Sequence, residues 1–352
     1  MSAGESGARA AKRARDAVHA VPAPAPAPAH APAHAAPAAR PETPGVRLYT
    51  VPALAAERPL AALVGVARAI AALDNAIEKR RTCARAIFGA MRLRRLVVLC
   101  GVAGSGRRTL VRAYCRHNAI NLVELTEHCG VLSAEAVDAA YALARAAAPC
   151  VVLVHGCDAA LLEPVPAGGT PSALQRTFVR ELADAERDAA APWSVLAVEK
   201  PYTLVPAPIA EHAYHRAWLA PPSYTRRGQS LPSDNFAARR ALLRLFMSER
   251  APNVDVLEQH PIYASCFEDL IEWSNNTTPR QLAAFLDRVF FAPLERMTPG
   301  TINTSRPDML LPTPRDVADC LYTLNGEFKC IVPMAPEPQV VRPFEMLGVL
   351  AG

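Results

Sequence analysis

The segment with the plainest chemistry is Leu99-Cys-Gly101-Val-Ala-Gly104-Ser105-Gly106-Arg107-Arg108-Thr109. Glycines at 101, 104 and 106 let the backbone turn tightly and point its N–H groups at an anion. If a strand precedes this run and a helix follows it, the helix N-terminus adds partial positive charge at the same place. Those are the physical ingredients of a phosphate-binding loop. Its usual form, Gly-x-x-x-x-Gly-Lys-Ser/Thr, adds a lysine for the outer phosphates and a hydroxyl for magnesium. Here Arg107 stands at the lysine position and Arg108 at the hydroxyl position. Arg107 keeps the charge but carries it on a longer, planar group. Arg108 has no acceptor to offer a cation. Thr109 comes one residue late, so on a helix its hydroxyl points to another face. The run predicts an anion-binding turn and argues against magnesium. A glycine-rich turn that holds no nucleotide would use the same residues.

Phosphoryl transfer also needs carboxylates at the end of a neighbouring strand, one to hold magnesium and one to activate water. The apolar run Cys150-Val-Val-Leu-Val154 is followed by His155-Gly156-Cys157-Asp158. Neutral imidazole is a poor magnesium ligand, and glycine supplies no base. His155 reads more simply as a hydrogen-bonded residue at a strand end. Asp158 remains, three residues past the magnesium position.

The elements that must position these residues follow from hydrophobic periodicity. Leu96-Val-Val-Leu-Cys100, Asn121-Leu-Val-Glu-Leu125, Cys150–Val154 and Ser194-Val-Leu-Ala-Val198 read as strands, mostly apolar without alternation, which suits strands buried on both faces. Helices are expected over 59–91, from Leu63, Val66, Ile70, Leu73 and Ile77, and over 109–115, 133–147 and 172–188. Strands alternating with helices predict a parallel α/β sheet with its ligand at the carboxyl ends of the strands. From about residue 235 the character changes to helices alone, over 235–247, 267–274 and 279–291, with a Pro/Thr-rich loop at 298–314 and a short helix at 316–324. Thr278-Pro279-Arg280 supplies a cap hydroxyl and a first-turn proline, which sets Arg280 at a helix start. Three units are expected: an Ala/Pro-rich disordered tail over 1–44, an α/β domain over 45–232, and a helical lid with a C-terminal extension over 233–352.

At 51% hydrophobic residues the 352-residue chain can bury a sizeable core, and a formal charge of +5 permits acidic or phosphate-bearing partners without requiring them. Aromatics at 6% weaken any case for a base-stacking surface. The nine cysteines are odd in number and never spaced CxxC, so they read as buried free thiols of a reducing compartment. No apolar run approaches the roughly 18–20 residues that span a bilayer, and no secretory h-region opens the chain. The basic cluster Lys12, Arg13 and Arg15 would serve as a nuclear address or an electrostatic hook, or lie solvated in the tail.

In order along the chain, residues 55–300 resemble the AAA ATPases, in particular the katanin, spastin and fidgetin group. Gly101-Val-Ala-Gly-Ser-Gly106 resembles that family's Gly-Pro-Pro-Gly-Thr-Gly, and Val64-Gly-Val66 through Ile77 its preceding helix. Ala144 through Val154 is similar to the approach to the acidic strand, and Cys157-Asp158-Ala159 to the tail of Asp-Glu-x-Asp-Ala. Phe267-Glu-Asp-Leu270 and Phe291-Ala-Pro293 resemble the helical lid, and Leu310 through Val317 the group's C-terminal helix. Departures are equally ordered. The lysine, the hydroxyl and both acidic positions are replaced, Glu199-Lys200 stands for Thr-Asn, and His128-Cys-Gly130-Val lacks the pore-loop aromatic. Paired finger arginines would fall near His212–Arg216, where Arg216 is the one arginine; the resemblance implies that it stabilises charge on a neighbouring subunit's ATP, and the alternative is an ordinary surface arginine.

The resemblance implies ATP or ADP as ligand, held by Gly101, Gly104, Ser105, Gly106, Arg107, Arg108 and Thr109, with Arg280 at the γ-phosphate as in the wider family. It implies AAA-type subunits as partners, in a homo- or hetero-oligomer, and microtubules or acidic protein tails as substrates. The losses turn the leading expectation to a pseudo-ATPase that regulates or scaffolds an AAA assembly in the cytoplasm. Two other readings stay open. One is a divergent, active severing or remodelling ATPase, with Arg107 and Arg280 replacing the lysine and Asp158 or Glu199 as the candidate catalytic carboxylate. The other is an adaptor for nucleic acid or acidic tails, resting on the basic tail, Arg107-Arg108 and the cluster Arg226-Arg227, Arg239-Arg240.

Overall fold

The structure is a computed structural model that describes residues 43–81, 94–127, 131–164, 169–188, 190–199, 202–219, 233–250, 267–268, 270–271, 274, 277–296, 312–313, 315–317 and 319–320. Outside them lie nearly all of the expected tail with its basic cluster, and also His128–Gly130, Lys200, Arg226, Arg227, most of 298–314 and the end of the 316–324 helix.

Six strands form one sheet: β1 Val46–Tyr49, β2 Leu96–Cys100, β3 Asn121–Thr126, β4 Cys150–His155, β5 Trp193–Val198 and β6 Ala213–Trp218. Their order is β1-β3-β4-β5-β2-β6. All pairings are parallel except the edge pair β1–β3, which runs antiparallel from Val46 opposite Leu125 to Tyr49 opposite Leu122. The helices are α1 Ala67–Leu73, α2 Arg107–His117, α3 Ala134–Ala146, α4 Asp158–Leu161, α5 Ala173–Arg187, α6 Ala207–Ala210, α7 Ser233–Arg250 and α8 Pro279–Arg296.

The strand alternation sorts the core. Val97, Leu99, Leu122, Val151, Leu153, Val195 and Ala197 face α1 and α2, whose Leu73, Leu110, Val111 and Tyr114 cover them. Leu96, Val98, Val123, Val152, Val154 and Leu196 face α3 and α5, covered by Val137, Tyr141, Phe178 and Leu182. Both faces of β2 are therefore dry, as an unbroken apolar strand requires. A third cluster joins Leu243 and Phe246 of α7, Phe267, Leu270 and Ile271, and Leu282, Phe285 and Leu286 of α8.

The four expected strands are present within a residue or two, as are α2, α3 and α5. Ser133 caps α3, accepting from the Ala136 amide at 3.2 Å, and Ser172 with Gln175 forms a reciprocal capping box on α5. The helix expected from residue 59 is corrected: 60–62 is a 3-10 turn, Gly65 has φ 75°, and the α-helix begins at Ala67 before passing into a π-turn at Asp74–Glu78. Leu63 and Val66 pack on the core from that turn. Proline 293 lies inside α8, which runs on past the expected end. The short strands β1 and β6 were not expected. Each lies at a sheet edge and carries polar residues, so neither shows a clean apolar signature.

Burial pushes the thiols of Cys100, Cys150 and Cys157 up to about 12, which leaves them uncharged and unreactive at neutral pH. They and Cys115 are free, as is the half-buried Cys320.

Arg239 of α7 does not sit in a surface basic cluster. It is fully buried, and its Nη1 donates to the Ser274 carbonyl and, at 3.2 Å, to Thr277 Oγ1. Its neighbour Arg240 pairs with Glu268 at 3.2 Å. Arg239 thus holds the turn that leads into α8. Arg239→Ala should lower stability by about 2 kcal/mol, by stranding buried acceptors. The urea midpoint would fall with an unchanged slope, whereas an unchanged midpoint would mean that the turn holds without this guanidinium.

Candidate phosphate-binding site

The glycine run is enclosed by β2 on one side and α2 on the other. The Gly101 amide donates to the Val198 carbonyl at 3.0 Å, so the loop leaves the sheet still tied to β5. A Cβ on Gly101 would lie 2.7 Å from the Leu219 carbonyl oxygen, so no larger residue fits. Gly104 and Gly106 have φ of 79° and 92°, the left-handed region that glycine enters without strain. Gly106 is the N-cap of α2, no side chain caps the helix, and the helical ladder opens with the Leu110 amide on the Gly106 carbonyl at 2.8 Å. The amides of the first turn thus precede the ladder, beside the positive end of the helix.

Two polar groups in the loop are buried without a hydrogen-bond partner, Ser105 Oγ and Arg107 Nη1. The side chain of Arg107 is 10% exposed. Its other terminal nitrogen, Nη2, pairs with Glu199 Oε1 at 3.0 Å. Glu199 is held in turn from behind, its backbone amide donating to Asp158 Oδ2 at 2.7 Å. The two carboxylate candidates therefore form a relay at the ends of β4 and β5. Asp158 fixes the Glu199 backbone, and Glu199 covers Arg107.

Arg108 turns away from the loop toward β3. Its Nη2 lies 3.0 Å from Glu124 Oε2, and Glu124 is 2% exposed. A second guanidinium from the next turn of α2 meets the same carboxylate, with Arg112 Nε at 2.5 Å from Oε1 and Nη2 at 2.8 Å from Oε2. Arg112 also reaches Glu57 at 2.8 Å and stacks over the Tyr49 ring. His155, at the end of β4, sets its Nε2 3.7 Å from Glu124 Oε2, a weak polar contact longer than a normal hydrogen bond. Burial alone would raise the Glu124 carboxyl. The facing His155, Arg112 and Arg108 outweigh that and hold it down at about 2.

The lid closes the other side of the loop. Thr278 and Gln281 form a reciprocal cap on α8, with Gln281 N donating to Thr278 Oγ1 at 3.2 Å and Thr278 N to Gln281 Oε1 at 2.9 Å. The Arg280 amide then approaches the Gly104 carbonyl at 3.4 Å. A Cβ on Gly104 would sit 2.8 Å from Arg280 Cβ and 3.0 Å from Thr278 Oγ1. The Arg280 guanidinium has no hydrogen bond or ion pair among the described residues.

Gly101, Gly104, Ser105, Gly106, Arg107 and Arg280 thus converge on one loop. Arg108 adjoins it but is engaged with Glu124, and Thr109 is exposed on α2. Arg216 belongs to β6, opposite Val98, and its guanidinium stacks 3.6 Å from the centre of the Tyr202 ring of its own chain. Sequence reasoning missed Glu124 and Arg112. A lone glutamate in an apolar strand, with Arg108 and Arg112 four apart in the helical segment before it, was the available signal.

A phosphate group fits this donor set, since two buried donors lack acceptors and the loop is too tight at Gly101 and Gly104 for any Cβ. A magnesium ion does not fit. It needs free oxygen ligands, and Glu124, Glu199 and Asp158 each already hold a guanidinium or an amide.

Solved structures share the fold. A structure concerning katanin self-assembly superposes with a TM-score of 0.56 at 15% identity, covering 78% of this chain and 87% of that one. The FIGL-1 AAA domain in complex with ADP gives 0.58 at 14%, covering 87% and 91%, and the FIGL-1 AAA domain in a second structure gives 0.57 at 14%, covering 75% and 83%. No protein-family model matches the sequence, and no curated protein matches it. The chain has the fold of an AAA domain, with the α/β sheet and helical lid expected from its sequence.

The Glu124 cluster makes a stability prediction with a definite sign. Glu124→Gln leaves two guanidinium groups facing a neutral amide and should cost about 3 kcal/mol at pH 7. Because the folded carboxyl is depressed from 4.5 to about 2, its contribution is full above 4.5 and is lost as the pH falls through 2. Denaturant melts of both proteins should therefore converge over that interval, and a difference that persists unchanged at pH 2 would contradict the assignment.

Proposed function

We propose that this chain is an AAA-fold nucleotide-binding protein that does not turn ATP over, and that it serves as a regulatory or scaffold subunit of an AAA assembly. The observation that carries the binding half is the loop of 101–106, with the unpartnered donors of Ser105 and Arg107 buried beside a helix N-terminus. The FIGL-1 AAA domain that shares the fold was solved with ADP, which supports the same ligand class. Residues 101–107 would hold the phosphates through backbone amides and Arg107, and Arg280 would approach from the lid.

The silent half rests on where the charges go. Hydrolysis needs a carboxylate free to orient water. Asp158 accepts from the Glu199 amide and Glu199 pairs with Arg107, while Gly156 offers no side chain at the third position. Loss of such groups commonly removes orders of magnitude in rate. A subunit that binds without turnover holds one conformation for its neighbours, and the fold shared with a self-assembling katanin supports an oligomeric setting. The adaptor reading is weakened because Arg239 is buried and Arg240 is paired.

ADP at one hundred times its Kd should add about 2.7 kcal/mol of apparent stability, read as a rise in Tm. Arg107→Ala should weaken binding at least tenfold. The purified protein should show ATP turnover no faster than Arg107→Ala. Sustained hydrolysis that this substitution abolishes would replace the proposal with that of a divergent, active ATPase.

A further inference from the structure

The two places where a phosphate loop keeps its metal ligands are the residue after the charged one on α2 and the end of β4. Here they hold Arg108 and His155, and both face the same buried carboxylate, at 3.0 and 3.7 Å. This corner has been rebuilt around a fixed cation. We infer that the site takes a polyphosphate free of metal, with the Arg108 guanidinium standing in for the divalent ion. The inference rests on the nucleotide-binding reading above and adds the form in which the ligand binds.

The balance of donors and acceptors supports it. Every carboxylate at the site is occupied: Glu124 by Arg108 and Arg112, Glu199 by Arg107, and Asp158 by the Glu199 amide. On the donor side, Ser105 Oγ and Arg107 Nη1 are buried and unsatisfied, and the exposed Arg280 side chain leaves α8 with its Cβ and Cδ against Gly104. A metal chelate of a nucleotide brings a cation that must find oxygen ligands. A bare diphosphate brings acceptors, which are what this site lacks. To coordinate Glu124, an arriving divalent ion would displace Arg108 and come to rest against Arg112, which is fixed at 2.5 Å from the same carboxylate. Like charges at such separations in a buried setting repel strongly.

Arg108 is the adjustable member of the cluster. Its side chain is 47% exposed, whereas Arg112 is 16% exposed and further anchored on Glu57 and Tyr49. Arg108 can therefore share its fork between Glu124 and a phosphate oxygen while Arg112 keeps Glu124 neutralised. Planar guanidinium suits that bridging role better than ammonium does.

Isothermal titration of the full chain with ADP, and separately with inorganic pyrophosphate, in excess EDTA and then in excess magnesium, tests this directly. Affinity in EDTA should equal or exceed affinity in magnesium, because magnesium sequesters the bare ligand. Arg108→Ala should lose at least tenfold in EDTA and Arg108→Lys less, with the Tm of each unliganded variant reporting that the protein is folded. Binding that appears only with magnesium, or that Arg108→Ala leaves intact in EDTA, overturns the inference alone. Absence of binding by either ligand in both buffers overturns the nucleotide reading and this inference with it.

Discussion

A carboxylate in the middle of a buried strand has to be neutralised where it stands. Glu124 occupies such a place on β3, and the site takes its form from the answer. Two arginines one helical turn apart on α2 converge on it, so the face of α2 that looks at β3 is fixed by charge as well as by Leu110, Val111 and Tyr114. The arrangement ties the start of the helix that follows the glycine loop to β3, three places from β2 in the sheet. It also removes Arg108 from any role as a simple surface cation, and it sets the imidazole of His155 against a carboxylate already provided with cations.

The loop itself is shaped by close approach. Gly101 is pressed on Leu219 at the end of β6, and Gly104 on the first turn of α8. Residues more than 170 positions apart thus meet at one glycine. The buried Arg239 holds the turn before α8, and the Thr278–Gln281 cap holds its first residues, so the lid presents Arg280 to the loop from a defined position. The loop meets the sheet edge at the Leu219 carbonyl, and it meets the lid through the Arg280 amide and the Thr278 and Arg280 side chains.

The relay from Asp158 to Glu199 to Arg107 gives the loop its resting state. A carboxylate on Arg107 is a modest substitute for phosphate, since Glu199 is 54% exposed and its ion pair is weakened by water. A ligand with more charge and better geometry would displace it. Asp158 and Glu199 are thus tied to each other and to the loop through one chain of bonds.

The sequence by itself determined the central strands, the helices α2, α3 and α5, and the glycine turn joining β2 to α2. Those features depend on local causes: apolar runs, capping hydroxyls and glycines at left-handed positions. It also placed Arg107, Arg108, His155 and Gly156 at the positions where a phosphate loop and its acidic strand usually carry lysine, a hydroxyl and carboxylates, because those positions lie at regular spacings from the glycines. The tertiary structure alone decided the partners. Arg239 looked like half of an exposed basic pair and proved to be a buried tie, and Arg216 proved to lie in an edge strand, stacked on Tyr202. Glu124, unremarked in an apolar run, became the centre of the charge network. Burial and the convergence of α2 on β3 are long-range facts, and a charge is read correctly only when the groups that surround it in space are known.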